Sequence, residues 1–297
     1  MNSFKNIVVA TDFSESAKVA YQYAHHIAGI MGGNIHVLHA YQPIMDVAYP
    51  EHVGYALPIE ELENMATERL NAFCHDMDKA EESEGAVALA KETKVKVTQE
   101  VVFGAASDVL IEKSKDPSTD LLVLGTIGEH PWYDRLFGSV SVNVACEAFC
   151  PVLLVPKNAQ FYGIRSILYA ASLASASPTV VGMAIDWAKP FDTVLHFVHI
   201  STFEMDKCDV LFKTILAEKA PHLLYSIENT FAENVREGIY DFSLERGVDM
   251  IIAYAHHYSF IEDLMHGSVA KDLAWHTRLP ILFIHSDIRN GLESLKN

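Results

Sequence analysis

Short runs of Val, Ile and Leu alternate along the chain with longer stretches in which apolar residues recur every three or four positions. The short runs have the length and composition of strands buried on both faces, and the longer stretches have helical spacing. In the first half this pattern predicts strands near 5–11, 34–41, 94–102, 119–125 and 151–156, with helices near 14–31, 58–83, 104–115 and 138–149. In the second half the strands fall near 164–171, 192–200, 223–228, 248–255 and 280–285. Ser14 before Ala17, and Ser107-Asp108, read as helix starts, while Gly32-Gly33 reads as a stop. Strands alternating with helices make βαβ units and a parallel sheet covered on both faces.

The pattern repeats. Lys5-Asn6-Ile7-Val8-Val9-Ala10 matches Arg165-Ser166-Ile167-Leu168-Tyr169-Ala170, and Ile35-His36-Val37-Leu38-His39 matches Leu195-His196-Phe197-Val198-His199, both at a shift of 160. Asp120 to Leu124, Gly138 to Val140 and Pro151 to Val155 match Asp249 to Ala253, Gly267 to Val269 and Pro280 to Ile284 at a shift of 129. The second copy has therefore lost about 31 residues between its second and fourth strands, and residues 43–93 of the first copy are where they are expected. The chain divides into a domain at 1–157 and a shorter one at 162–297, with the boundary near Lys157 to Phe161.

Composition narrows the field. A chain of 297 residues has room for two cores, and half of its residues are hydrophobic, which excludes a disordered or fibrous protein. The net charge of −17 offers no basic surplus for a nucleic-acid backbone. Ile167 to Ala188 approaches the length of a membrane span, but its serines and Pro178 break it into a strand and a helix. Cys74, Cys146, Cys150 and Cys208 form no Cys-x-x-Cys pair and suit a reducing compartment. The opening residues lack a long apolar run with a cleavage site, so a cytoplasmic protein is expected.

Ligands of open parallel α/β sheets bind beyond the carboxyl ends of the strands, where strand order reverses. The first strand ends at Thr11-Asp12, whose carboxylate can accept from an exocyclic amine or a ribose hydroxyl, or can instead form a helix cap or an Asx turn before Ser14. After the fourth strand, Gly125-Thr126-Ile127-Gly128 is followed nine residues later by Gly138-Ser139-Val140-Ser141 and a helix. Glycines there can let the backbone approach a ligand, and a helix N-terminus suits phosphate; the same spacing also fits an ordinary strand-to-helix loop. Residues 1–157 carry 11 Lys and Arg against 22 Asp and Glu. A polyanion would therefore rest on backbone amides, the hydroxyls of Ser139 and Ser141, Arg135 and a divalent cation.

Asp12 after the first strand, with Gly-x-x-Gly, nine residues and Gly-Ser after the fourth, resembles the universal stress protein family and specifically its ATP-binding branch. The opening Val8-Val9-Ala10-Thr11-Asp12-Phe13-Ser14 is similar to that family's start, and the likeness runs through nearly the whole chain as two tandem copies. The resemblance implies an α/β fold of two tandem Rossmann-like, adenine nucleotide alpha hydrolase-like domains, each a five-stranded parallel sheet flanked by helices. It also implies adenine near Thr11, Asp12 and the backbone of Ala40, ribose near Leu124 and Gly125, and phosphates along Gly128, Gly138, Ser139, Val140 and Ser141. ATP with Mg2+ or Mn2+ is the implied ligand. The last strands of two such domains are expected to pair, within this chain and without excluding a homodimer or an unidentified protein partner.

The second half departs from the motif. Ser172 stands in the place of Asp12, Tyr254 in that of Gly125 and His257 in that of Gly128, with only Gly267-Ser268 retained, so a structural partner that binds no ATP in the same mode is expected. His36, His39, His196, His199, His256, His257 and His266 invite a metal reading, but positions three apart on a strand face opposite ways and no metal ligand is assigned. Cys146 and Cys150 share a helix face and read as small core residues. No Gly-x-x-x-x-Gly-Lys pattern is present and no catalytic residue is assigned, which favours regulatory ATP binding over rapid turnover. Two other readings stand beside it. One is an ATP-dependent hydrolase or transferase with residues 43–57, including Tyr41 beside them, Tyr49, His52 and Tyr55, as a substrate roof; the other is a nucleotide-free scaffold.

Overall fold

A computed structural model describes residues 4–43, 57–83, 95–126, 138–171, 178–201, 217–218, 220–233, 235–254 and 279–285. The first half runs β1 (Asn6–Ala10), α1 (Glu15–Met31), β2 (Asn34–Tyr41), α2 (Ile59–Ser83), β3 (Lys96–Phe103), α3 (Ala106–Ser114), β4 (Leu121–Gly125), α4 (Ser139–Glu147) and β5 (Val152–Val155). The second runs β6 (Ser166–Ala171), α5 (Pro178–Ala188), β7 (Val194–Ser201), β8 (Leu224–Phe231), α6 (Val235–Arg246), β9 (Met250–Tyr254) and β10 (Ile281–Ile284). Every strand expected from the hydrophobic pattern is present, within three residues at each end.

The strands form a single ten-stranded sheet in the order β3-β2-β1-β4-β5-β10-β9-β6-β7-β8. All pairings inside each half are parallel, and the two halves meet where β10 lies antiparallel to β5, with Leu282 opposite Leu153. The two five-stranded domains thus have the same strand order, read from opposite ends of the sheet.

Strands with fully buried runs, such as Val152–Val155 and Ile281–Ile284, sit at the centre, as expected for a sheet covered on both faces. One core joins α1, α2 and α5 to the sheet, and a second joins α3, α4 and α6 to the opposite face. Both run across the junction between halves. Trp187 of α5 is fully buried, meets Phe4 edge-on at 4.9 Å and donates its indole N–H to Met250 Sδ. Burying a large side chain of this kind is worth about 1.5–3 kcal/mol. The segment between the domains packs back on α1: the Tyr23 hydroxyl donates to the Gln160 carbonyl at 2.9 Å, and His26 stacks on Phe161 at 4.5 Å.

Helix ends follow the local sequence at α1 and depart from it at α3. Ser14 caps α1 by accepting from Ala17 N–H, and Gly32 ends that helix in the left-handed conformation at φ 65°. Ser107-Asp108 is not the start of α3; Ala105 takes the cap position with no side-chain bond, and Asp108 lies in the first turn. There the small residues after Gly104 set the start, and the acidic group favours the positive end of the helix from inside it. The lost residues are localised more narrowly, since residues 42–95 join β2 to β3 where only residues 202–223 join β7 to β8.

The window from Ile167 to Ala188 divides into β6 and α5, and among the described residues no helix is long and apolar enough to cross a membrane.

Candidate functional site

A cleft of about 320 Å³ opens at the carboxyl ends of β1, β2 and β4. It lies where strand order reverses, since β2 follows β1 on one side while β4 flanks it on the other. Of the ten residues expected to bind ligand, Thr11, Asp12, Ala40, Leu124, Gly125, Gly138, Ser139, Val140 and Ser141 all line this one cleft. Gly128 lies outside the described residues, as do Arg135 and the proposed roof residues Tyr49, His52 and Tyr55.

The end of β1 is fixed by short-range bonds. Thr11 N–H donates to the Leu38 carbonyl at 3.0 Å, carrying the β1–β2 ladder one step beyond the strand. Thr11 Oγ1 then accepts from Phe13 N–H at 3.0 Å, and Asp12 Oδ1 accepts from both Ser14 N–H at 3.0 Å and the Ser14 hydroxyl at 2.5 Å. Asp12 thereby forms the Asx turn that its sequence context allowed, while Ser14 takes the cap. The turn uses Oδ1; Oδ2 bonds no described residue, so this exposed carboxylate still has an acceptor to offer the cleft. Phe13 adopts φ 68°, a left-handed conformation that costs a non-glycine residue about 1–3 kcal/mol. The turn bonds on either side, with Phe13 tilted against His39 at 4.3 Å and under the Arg69 guanidinium at 4.5 Å, hold it there.

β2 contributes Ala40 and His39. His39 Nδ1–H donates to the Thr11 carbonyl at 2.8 Å. Burial lowers the pKa of this imidazole and Arg69 adds to that, against the opposing pull of the Thr11 carbonyl and Asp12. The neutral ring with its proton on Nδ1 leaves Nε2 as an acceptor. His36, three residues earlier, faces the other way and bonds Thr98 and Glu100 at 3.0 and 2.9 Å.

The two described glycines play different parts. A Cβ on Gly125 would come within 2.7 Å of the backbone and hydroxyl of Ser16, so this glycine lets β4 pack against the start of α1. Its bareness is thus required by the fold itself, and the residue also lines the cleft. Among the described residues, a Cβ on Gly138 would meet nothing closer than the Thr126 carbonyl at 3.5 Å, and its φ of −68° suits any residue.

Gly138 caps α4 without a side chain, its N–H held by the Thr126 carbonyl at 2.5 Å. The Ser141 hydroxyl donates back to the Gly138 carbonyl at 2.9 Å. The amides of Ser139, Val140 and Ser141 bond no described residue, so three first-turn donors and the positive end of the helix dipole face the cleft. Asp12 carries the only formal charge among the described lining residues. The arrangement can accept hydrogen bonds at one end and receive negative charge on backbone amides at the other.

Sequence reasoning did not assign His39, Ser16, Ala106 or Thr126, all of which line the cleft. The sequence offers His39 as a metal candidate or, more simply, a sheet-end histidine satisfied by backbone; its place directly before Ala40, at a strand's carboxyl end, is the available signal for the cleft. In the second half Tyr254 follows Ala253 in register beside Ala170, as Gly125 follows Leu124, and its ring packs half-buried on the core beneath α5. Ser172, His256, His257, His266, Gly267 and Ser268 lie outside the described residues.

The Universal stress protein family model matches residues 3–156 and again 163–285. A universal stress protein of Methanocaldococcus jannaschii is 28% identical over 156 residues, covering 52% of this chain and 84% of its own. One from Synechocystis is 24% identical over 292 residues, covering 94% of this chain and 99% of its own. The crystal structure of a universal stress protein from Archaeoglobus fulgidus superposes with a TM-score of 0.62 at 19% identity, covering 95% of this chain and 97% of that one. That likeness is one of fold.

Proposed function

The chain belongs to the universal stress protein family, with two tandem copies of the domain, and we propose that its first half is a regulatory site for ATP with Mg2+ or Mn2+ while its second half is a structural partner. The observation that carries this reading is the meeting, in one cleft, of a carboxylate at the end of β1 whose Oδ2 bonds no described residue, the Ala40 backbone at the end of β2, and three amides at the start of α4 that bond no described residue. Asp12 Oδ2 accepts from the adenine amino group or a ribose hydroxyl. The Ala40 main chain borders the base, Leu124 and Gly125 border the ribose, and the α4 amides take the phosphates with the Ser139 hydroxyl and the Ser141 hydroxyl once it turns from the Gly138 carbonyl. A divalent cation bound with the ligand would offset the acidity of this half.

Gly138 separates ligand from fold in the test. Because no described residue crowds a side chain there, Gly138→Asp supplies α4 with a proper cap, raising stability by a few tenths of a kcal/mol at about pH 7. The same carboxylate repels phosphate. The native protein should gain about 2.7 kcal/mol when ATP and Mg2+ reach roughly 100 times the dissociation constant, and the variant should gain almost nothing. Thermal unfolding with and without ATP reads both. No gain in the native protein, or an equal gain in the variant, would sink the proposal. Steady-state phosphate release should be no faster than in Gly138→Asp, as fits a regulatory ligand.

A further inference from the structure

The last turn of α4 presents the problem of every helix end, carbonyls without intrahelical partners. It has no basic residue, and Ala145 within it is completely buried, so an unmet carbonyl there would be costly. The missing donor comes from the other half of the chain. His285 Nε2–H donates to the Ala145 carbonyl at 2.8 Å. His285 stands one residue beyond β10, and the antiparallel register that sets Phe283 opposite Val152 places it opposite Cys150, just past the end of α4. The residue is buried, which keeps its imidazole neutral by lowering its pKa against the pull of the Ala145 and Cys150 carbonyls.

The contact has no counterpart by side chain in the repeat. The position matching His285 in the first half is Pro156, whose ring carries no donor. Among the described residues the grip runs from the second half onto the helix whose opposite end supplies Gly138, Ser139, Val140 and Ser141 to the cleft. At 1.5 Å per residue a nine-residue helix is about 13 Å long, so a change of tilt at its carboxyl end re-aims the amides at its start.

We propose that His285 is a positioning residue for the cleft: the second half, by holding the carboxyl end of α4, fixes the aim of the amides that meet phosphate. This rests on the nucleotide reading given above, but its structural core can be read without nucleotide. In ligand-free His285→Leu, amide hydrogen exchange across residues 139–147 should quicken about fivefold to tenfold while α3 stays unchanged. ATP affinity should fall by a similar factor. His285→Gln, whose terminal amide can reach Ala145 in place of Nε2, should restore both. If the Leu variant does not fold, His285→Asn, which keeps an amide but ends short of Ala145, replaces it in the same comparison. Unchanged exchange in α4, or failure of Gln to restore it, overturns the inference whatever ATP does. Native protein that never binds ATP, with α4 exchange responding as stated, would sink the nucleotide reading and leave the grip standing.

Discussion

At the amino ends of the strands the two halves hold themselves by the same bonds. Asp120 Oδ2 accepts from the amides of Lys5 and Asn6 at 3.0 and 2.9 Å, and Asp249 Oδ2 accepts from Arg165 and Ser166 at 2.8 and 3.0 Å. Between the second and third strands the likeness continues: His36, Thr98, Glu100 and Lys113 in the first half are matched by His196, Ser226, Glu228 and Arg246 in the second. At the carboxyl ends the halves differ. Gly125 gives way to Tyr254, and Pro156 to His285. Strand pairing and helix cover impose the same demands on both copies at one end of the sheet, whereas the other end is occupied by whatever each copy is for. The second half kept its framework, and at its junction end it gained a donor that serves the first.

The strongest way to break this comparison is to exchange the residues at the fourth strand's end. Gly125→Tyr must displace the Ser16 backbone, and an overpacked core of that severity should cost about 3 kcal/mol or more, enough to lose cooperative folding of the first half. Tyr254→Gly removes a half-buried ring and loosens the backbone, at an expected cost of about 2–4 kcal/mol. Neither exchange should move ATP binding into the second half, because a bare position at the end of β9 would still lack the carboxylate of Asp12, which Ser172 replaces there. Urea unfolding checks the pair. A Gly125→Tyr protein as stable as the native one would show that Ser16 yields easily and that the fold does not need this glycine.

A smaller effect sharpens the shared part of the comparison. The second-half cluster is the more enclosed: the Glu228 and His196 side chains are 26% and 10% exposed, against 45% and 28% for Glu100 and His36. Screening by water should therefore leave Glu100→Ala costing under about 1 kcal/mol, while Glu228→Ala, which strands His196, Ser226 and Arg246, should cost about 1–2 kcal/mol. Equal costs in urea unfolding would mean that burial does not set the strength of these clusters.

The parts of this protein that a sequence reveals are those governed by periodicity and repetition. Buried runs such as Val152–Val155 can hardly be anything but central strands, and the shift of 160 carried the first two strands of one half onto the other without error. The cleft was legible because motif residues at strand ends are brought together by topology alone. What escaped depends on distances between segments remote in sequence. Nothing in Gly125-Thr126 says that Ser16 will lie 2.7 Å from a missing Cβ, and nothing in Ile284-His285 says that an imidazole will cap a helix 140 residues earlier. Ser107-Asp108 misled because local capping chemistry was overruled by the turn at Gly104, where φ is 147°.

The mildest test uses acidity, since the described residues of the two halves bury different numbers of imidazoles. Burial lowers the pKa of His39 in the first half and of His196 and His285 in the second. The folded state favours their neutral forms, while the unfolded chain takes up protons at the ordinary value near 6.5. Their contribution to stability is therefore complete above about pH 6.5 and is lost as pH falls from there through the lowered values. Glu100 works in a separate range: its bond to His36 first, then Lys113, holds its pKa below the ordinary 4.5, so its contribution is complete above 4.5 and fades only below it. Between pH 7 and 5 the urea midpoint should consequently decline through the histidines alone. His196→Gln and His285→Gln together should flatten that decline more than His39→Gln does, because two of the three imidazoles lie in the second half. A native midpoint that stays level from pH 7 to 5 would show that these rings accept protons in place, and that the second half is no more sensitive to acid than the first.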